Sequence, residues 1–392
     1  MAQTSAGLVA GVFGLILIGG CSTSSSSGGN PSVGSGGAQA AAGGAQAASG
    51  GKASQVGGAV SAAGGAVNTS GGVGNGTGGS VSAAGGSTAS AASGSYFPAG
   101  TPWTTDVSQA PVDPTSGAII GWLNQQGFGT GQMRIDFSIE VLMADATTPQ
   151  QSFQPTKDFF SPDCDQAAIP IPVGGNLEGE TGYQCTTDGD CHLIVVDRGA
   201  SKLYEMWRAN IVGQAFMGGC LAVWDLSRVY GPKGRGEGCT SADAAGYPIA
   251  PLLFSADEVK AGAIEHAIRF ILPNSSIRAN EYVHPATHTT MAASGPSTAP
   301  PYGARLRLRA DYPLANLPSE GARVVARALQ KYGMLLADGG NIALTAQSDV
   351  HTQAKWDGLL DSRDLIAITP GDFEVMTLGP TFPLSGDCVR EP

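Results

Sequence analysis

Between Ser22 and Ser95 the chain is built almost wholly from Gly, Ala and Ser, and Lys52 is its only charged residue. That stretch limits everything else. It cannot bury enough apolar surface to offset the entropy of ordering it, so any fold must come from the remaining sequence. Residues 21–95 therefore read as a disordered linker, a tether whose reach of roughly 5–6 Å × √n is on the order of 45–50 Å. Glycine runs such as GNGTGG have no flanking strand or helix, which argues against a phosphate loop.

The linker follows an apolar run, Leu8 to Ile18, that ends in Gly19, Gly20 and Cys21. A run this short reads as a signal peptide over residues 1–20, because a membrane span needs roughly 20 apolar residues. The Ile-Gly-Gly-Cys ending resembles the bacterial lipobox, in which the cysteine becomes the lipidated first residue. No Lys or Arg precedes the run, and an ordinary signal peptide with an incidental cysteine is the alternative. Ser22 replaces the aspartate that commonly retains such proteins at an inner membrane, so the expected place is the cell surface or outer membrane.

From Tyr96 onward the aromatic and acidic residues appear, and 96–392 is expected to form one globular domain. With Lys52 assigned to the linker it carries 20 basic and 32 acidic side chains, a net of −12. Such a surface argues against nucleic acid as a partner and leaves the lipid anchor as the only membrane contact. Six cysteines remain after Cys21: Cys164, Cys185, Cys191, Cys220, Cys239 and Cys388. An even number in an exported chain suits three disulfides, and Cys185 with Cys191, around a TTDGD turn, is the first pair expected. Zinc is the competing use of these thiols. No C-x-x-C occurs, so no metal and no cofactor is assigned.

HLIVVDR (192–198) and KLYEMWRANIV (202–212) look like a hairpin, followed by CLAVWDLS (220–227). AIEHAIRFIL (263–272) is read as a strand, and ARLRLRADY (304–312) alternates Arg and Leu. One helix is expected from Glu320 to Tyr332, capped by Ser319 and ended at Gly333, before a short MLLAD strand. The expected fold is mainly β, an antiparallel β-sandwich or jelly-roll-like domain with a few helices.

The blocks TSADAAGYPI, EHAIRF, PATH, RLRLRADY, KYGMLLADGG and FEV occur in that order between residues 165 and 376. Together they resemble a family of secreted, largely uncharacterised microbial proteins in which such blocks often stand beside carbohydrate-binding modules. The resemblance implies one shared extracellular domain and supplies no catalytic residue. Asp190 and His192, in GDCH, stay candidates for substrate binding under it.

No Gly-x-Ser-x-Gly elbow, P-loop or EF-hand pattern occurs in the domain. Carboxylates are the better material, since glycoside hydrolysis needs one protonated and one ionised. Asp190, Glu205, Asp225, Asp243, Glu265 and Asp338 lie near patterned segments, and Glu205, Asp243 and Glu265 are the expected catalytic set. Glu205 sits in LYEMW, where aromatic neighbours raise a carboxyl pKa and suit sugar stacking; a solvated strand residue pairing with Arg208 is the alternative. Asp243 also reads as a turn cap. Trp207, Arg269, His288, Arg305 and Arg307 join Asp190 and His192 as expected substrate contacts, with Arg and Glu gripping hydroxyls or a uronate. His266 lies in an apolar row and fits a core histidine.

The sequence thus points to a surface-tethered carbohydrate-active protein acting on a polysaccharide, first as a glycoside hydrolase. A polysaccharide lyase using His266, His288, Arg305 and Tyr332, and a binding or adhesion module without catalysis, stay open. Lipidation is testable by itself: Cys21→Ser should move the protein out of the detergent phase in detergent partitioning, and an unchanged partition would refute the anchor.

Overall fold

The computed structural model describes residues 96–187 and 189–391, so the expected signal peptide, Cys21 and the linker lie outside the described residues. The described chain is mainly β. Ten strands form its two larger sheets: β1 Ile135–Ile139, β2 Leu142–Ala144, β3 Leu193–Asp197, β4 Lys202–Trp207, β5 Cys220–Asp225, β6 Ile268–Leu272, β7 Arg305–Leu308, β8 Met334–Gly339, β9 Leu344–Gln347 and β10 Phe373–Val375. The helices are α1 Ser116–Gln126, α2 Ala256–Ala261 and α3 Glu320–Lys331.

One sheet runs β1-β9-β6-β8-β7-β10 and the other β5-β4-β3-β2. The antiparallel expectation needs correction. β1 with β9, β6 with β8, and β2 with β3 pair in parallel. Periodicity could not show this, because β3 and β6 are buried on both faces and read as continuous apolar runs. The hairpin of β3 and β4 is as expected, and β5 pairs antiparallel with β4.

Alternation along β3, β4 and β5 feeds two cores. Ile194, Val196, Leu203, Ala222 and Trp224 belong to the larger cluster, which also holds Ile268, Phe270, Leu306, Leu335 and Leu344 of the six-stranded sheet. Leu193, Val195, Met206 and Leu221 point into a smaller one with Phe153, Ile169 and Phe216.

The helices follow local rules. α3 starts where the Ser319 side chain accepts the Ala322 N–H, buries Val324, Val325 and Leu329, and is followed by Gly333 at φ +69°. α2 has a full capping box, Ser255 with Glu258, in what the sequence shows only as an acidic segment. The EHAIRF strand starts later than expected, at Ile268. His266 stays in the loop ahead of it, bonded to the Ala267 carbonyl at 2.8 Å and facing Glu258 at 3.3 Å.

Among the described residues three disulfides brace the fold: Cys164–Cys220, Cys185–Cys191 and Cys239–Cys388, at sequence separations of 56, 6 and 149. None of these thiols is left as a thiolate. Loop-closure entropy gives about 5 kcal/mol for the longest loop and about 2 kcal/mol for the shortest. The pair Cys239→Ser with Cys388→Ser should accordingly lower the urea-unfolding free energy more than Cys185→Ser with Cys191→Ser. The reverse order would show that chain entropy does not govern this bracing.

Candidate functional site

The segment Gly238–Tyr247 is folded by its own small residues. Cys239 fixes its start, and the Ser241 hydroxyl accepts the Asp243 N–H at 3.0 Å while donating to the Tyr247 carbonyl at 2.6 Å. Gly246 sits at φ +80°, where a Cβ would lie 2.1 Å from the Thr287 hydroxyl oxygen. Ala245 then donates to the Ala337 carbonyl of β8 at 2.9 Å. The turn therefore lies on the six-stranded sheet and carries Asp243 to full burial.

Asp243 meets Arg269. The guanidinium is buried and grips Asp243 through Nε at 3.1 Å and Nη2 at 2.9 Å. Nη2 also reaches Asp338 at 3.1 Å, and Nη1 donates to the Thr345 hydroxyl at 2.9 Å. Strand register explains the company. Asp136 is the partner of Thr345 across β1 and β9, and β6 lies next to β9. A buried guanidinium needs this saturation, because each unpaired N–H or charge in a dry interior costs several kcal/mol. Asp338, at the end of β8 and one-fifth exposed, is the exit from the network. Burial, and next the charge of Asp243, hold its proton on well above the usual carboxylate range.

A second pair stands beside it. His192 is buried, with Nδ1 2.6 Å from Glu178 Oε2 and Nε2 donating to the Ala242 carbonyl at 3.0 Å. Burial works against the imidazolium, but Glu178 outweighs it and His192 is pushed up to about 9. Burial likewise opposes ionisation of Glu178, and the His192 charge reverses that, leaving the carboxyl below its ordinary value. Asp190 is exposed and accepts the Trp207 indole N–H at 2.8 Å; its charge acts on both His192 and Asp338. Burial raises Asp136.

Of the residues expected from sequence, Asp190, His192, Trp207, Asp243 and Arg269 are thus brought together. The others are not. Glu205 is wholly buried on the larger-core face of β4, accepting the Ile249 and Ala250 N–H groups at 2.8 Å each and the Trp224 indole at 3.0 Å. Burial raises it to about 7, although Trp224 rather than Trp207 is the aromatic partner. Glu265 is exposed in the loop before β6. Arg305 donates to the Tyr332 and Pro102 carbonyls at 2.8 and 3.1 Å, while Arg307 donates to Val107 and Ala110 and pairs with Glu374. Both hold the segment around 102–110. His288 is half-buried, bonded to the Ala244 carbonyl at 2.8 Å and lowered by burial. Glu178, Asp136 and Thr345 carry no sequence pattern that would have found them.

A cleft of about 430 Å³ lined by Phe137, Trp356, Asp361 and Asp364 lies elsewhere, since Phe137 and Asp136 alternate across β1. Among the described residues no helix is long and apolar enough to cross a membrane. The one grouping there with metal-ligand spacing, Glu180 with Cys185 and Cys191, uses sulfurs already joined in a disulfide. The chain matches no family model, no curated protein and no solved structure.

The His192 pair makes stability depend on pH with a definite sign. Its folded pKa, about 9, lies above the unfolded one, so its contribution is complete below about pH 6.5 and is lost as pH rises through 9. That loss is on the order of 3 kcal/mol. Unfolding of the protein in urea between pH 6 and 10 should show the decline, and His192→Gln should flatten it; an unchanged slope in the variant would place the decline elsewhere.

Proposed function

We propose that this is a surface-tethered carbohydrate-active protein that hydrolyses a polysaccharide with a pair of carboxyl groups, Asp338 as the acid and Glu178 as the base. One observation carries the reading: two carboxyls, each about one-fifth exposed, flank one buried Arg269–Asp243–His192 floor and are pushed in opposite directions. Opposed environments are how one site holds a proton donor and an acceptor at the same pH. Asp338 would protonate the glycosidic oxygen as its bond to the anomeric carbon breaks, releasing an alcohol. Glu178 would take a proton from the water that attacks that carbon. Trp207, half-buried and oriented by Asp190, offers a ring for sugar stacking.

Asp243 and Glu205, nominated by the sequence, have no surface for a sugar to touch, so on this reading they position the site. We also read the two sheets, which share the larger core, as the layers of a sandwich. Export, the lipid on Cys21 and the linker make the outer surface the proposed place of action, and the resemblance between residues 165 and 376 supports a saccharide partner.

Release of reducing ends from a polysaccharide panel, without absorbance near 235 nm, is the expected result. Absorbance would indicate a lyase, and binding with neither signal a module. Asp338→Asn should lower kcat by at least about 100-fold and remove the alkaline limb of the rate profile, with the melting temperature held because Arg269 keeps Asp243. Full activity in that variant would remove Asp338 from the chemistry.

A further inference from the structure

We propose that the cleft between β1 and the start of α3 is a second, non-catalytic saccharide site that holds a neutral sugar segment. The proposal rests on the carbohydrate reading above and adds a grip on the polymer away from the acid pair. The cleft, of about 430 Å³, is lined by Phe137, Ser319, residues 356–362 and Asp364. That size belongs to small-molecule sites, which run to roughly 300–1,000 Å³, and exceeds what a bare ion needs. Phe137 lies in β1, the edge strand of the six-stranded sheet, next to Asp136 of the centre. The two places share a strand without sharing a face.

Its aromatic floor is fixed. The Phe137 and Trp356 ring centroids are 4.7 Å apart, and Phe254 packs against the indole at 5.8 Å. The indole N–H donates to the Gln347 carbonyl at 2.9 Å, and the Trp356 backbone N–H to Asp349 Oδ2 at 2.7 Å. The Lys355 ammonium closes the preceding turn by donating to the carbonyls of Asp349, Val350 and Thr352. The opposite wall is tied as well. Asp364 Oδ2 accepts the Ser319 hydroxyl at 2.6 Å and the Asp361 N–H at 3.2 Å, and Ile135 donates to the Ser362 carbonyl at 3.0 Å. A cleft held on both sides gives up little conformational freedom when a ligand enters.

The lining selects by elimination. No Lys, Arg or His lines the cleft, so a uronate or sulfated sugar would meet Asp357, Asp361 and Asp364 without a cation. A wholly apolar ligand would strip water from the same carboxylates and return no hydrogen bond. An ammonium would pair with the acids and leave the Phe137 ring in water. A neutral sugar answers both parts of the lining. Its C–H face covers the half-buried Phe137 ring, and its hydroxyls donate to carboxylate oxygens in charge-assisted bonds. Asp357 is exposed and its carboxyl takes no hydrogen bond among the described residues, which leaves both oxygens for that purpose.

The test is calorimetric titration of the whole protein, carrying Asp338→Asn so that nothing is cleaved. The probes are β-1,4-linked tetramers of glucose, mannose, xylose, glucosamine and galacturonate. A neutral tetramer is expected to bind at two places, the cleft and the acid centre. Phe137→Ala should weaken the cleft's share about tenfold, the worth of a lost aromatic contact, and Asp357→Ala roughly fivefold. Trp207→Ala should weaken the other share. Asp357 is exposed, so its variant keeps the test decisive if Phe137→Ala does not fold. Binding untouched by both cleft variants would overturn the proposal, and if Trp207→Ala still removes it, the centre stands. Binding lost in the cleft variants and untouched by Trp207→Ala would uphold the cleft and sink the reading of the centre. Tighter binding of the glucosamine or galacturonate tetramer, lost with Phe137→Ala, would overturn the neutral-sugar assignment. Binding of none would sink both.

Discussion

The buried guanidinium of Arg269 is the interaction on which the rest of the structure depends. A cation that deep is tolerable only when its N–H groups find acceptors and its charge a partner, and removing one member of such a pair costs about 3–5 kcal/mol. Asp243 supplies two of the bonds, and it can do so only because the Gly238–Tyr247 turn is laid on β8. The turn in turn needs the Cys239 disulfide, the φ of +80° at Gly246 and the Thr287 hydroxyl, which donates to the Cys239 carbonyl at 2.7 Å. The segment around Cys388, the turn and the sheet are thereby tied to one charge.

The same segment is held from its other side by Glu205. Its carboxyl, on the face of β4 that joins the larger core, receives the N–H groups of Ile249 and Ala250 at the start of a short 3-10 turn. Unsatisfied N–H groups at a helical start are a natural seat for an acidic side chain. Residues 243–250 therefore bridge the two sheets: Asp243 is bonded into the six-stranded one and Ile249 into the four-stranded one. Two acids that look catalytic in the sequence serve as anchors at the ends of one connection.

That is also why legibility was uneven. The β3–β4 hairpin, α3 with its Ser319 cap and the Cys185–Cys191 pair follow from local pattern, and local pattern is what a sequence displays. Parallel pairing of β6 with β8 depends on which distant strand lies alongside, and nothing in IRFIL encodes that. Arg269 is visible in the sequence as a charged residue in an apolar strand, but its partners Asp243 and Asp338 lie 26 and 69 residues away, and no local pattern points to them. Glu265, expected in the catalytic set, lies in a loop because β6 begins only at Ile268. Glu178 sits in NLEGETGY, a stretch of turn-forming residues with no period, and only its contact with His192 gives it meaning.

Electrostatic coupling joins the floor to its rim. Asp243 contributes a negative charge that no solvent screens, and it is the largest charge acting to keep the proton on Asp338. His192 contributes a positive one and acts the opposite way on Glu178. Both influences pass through one turn, since His192 bonds the carbonyl of Ala242 and the next residue is Asp243 itself. A displacement of that turn would alter both rim carboxyls together, one toward ionisation and the other toward protonation, and so remove the contrast between them. The disulfides and the glycine that fix the turn are therefore conditions for the difference between Asp338 and Glu178 as much as for the fold.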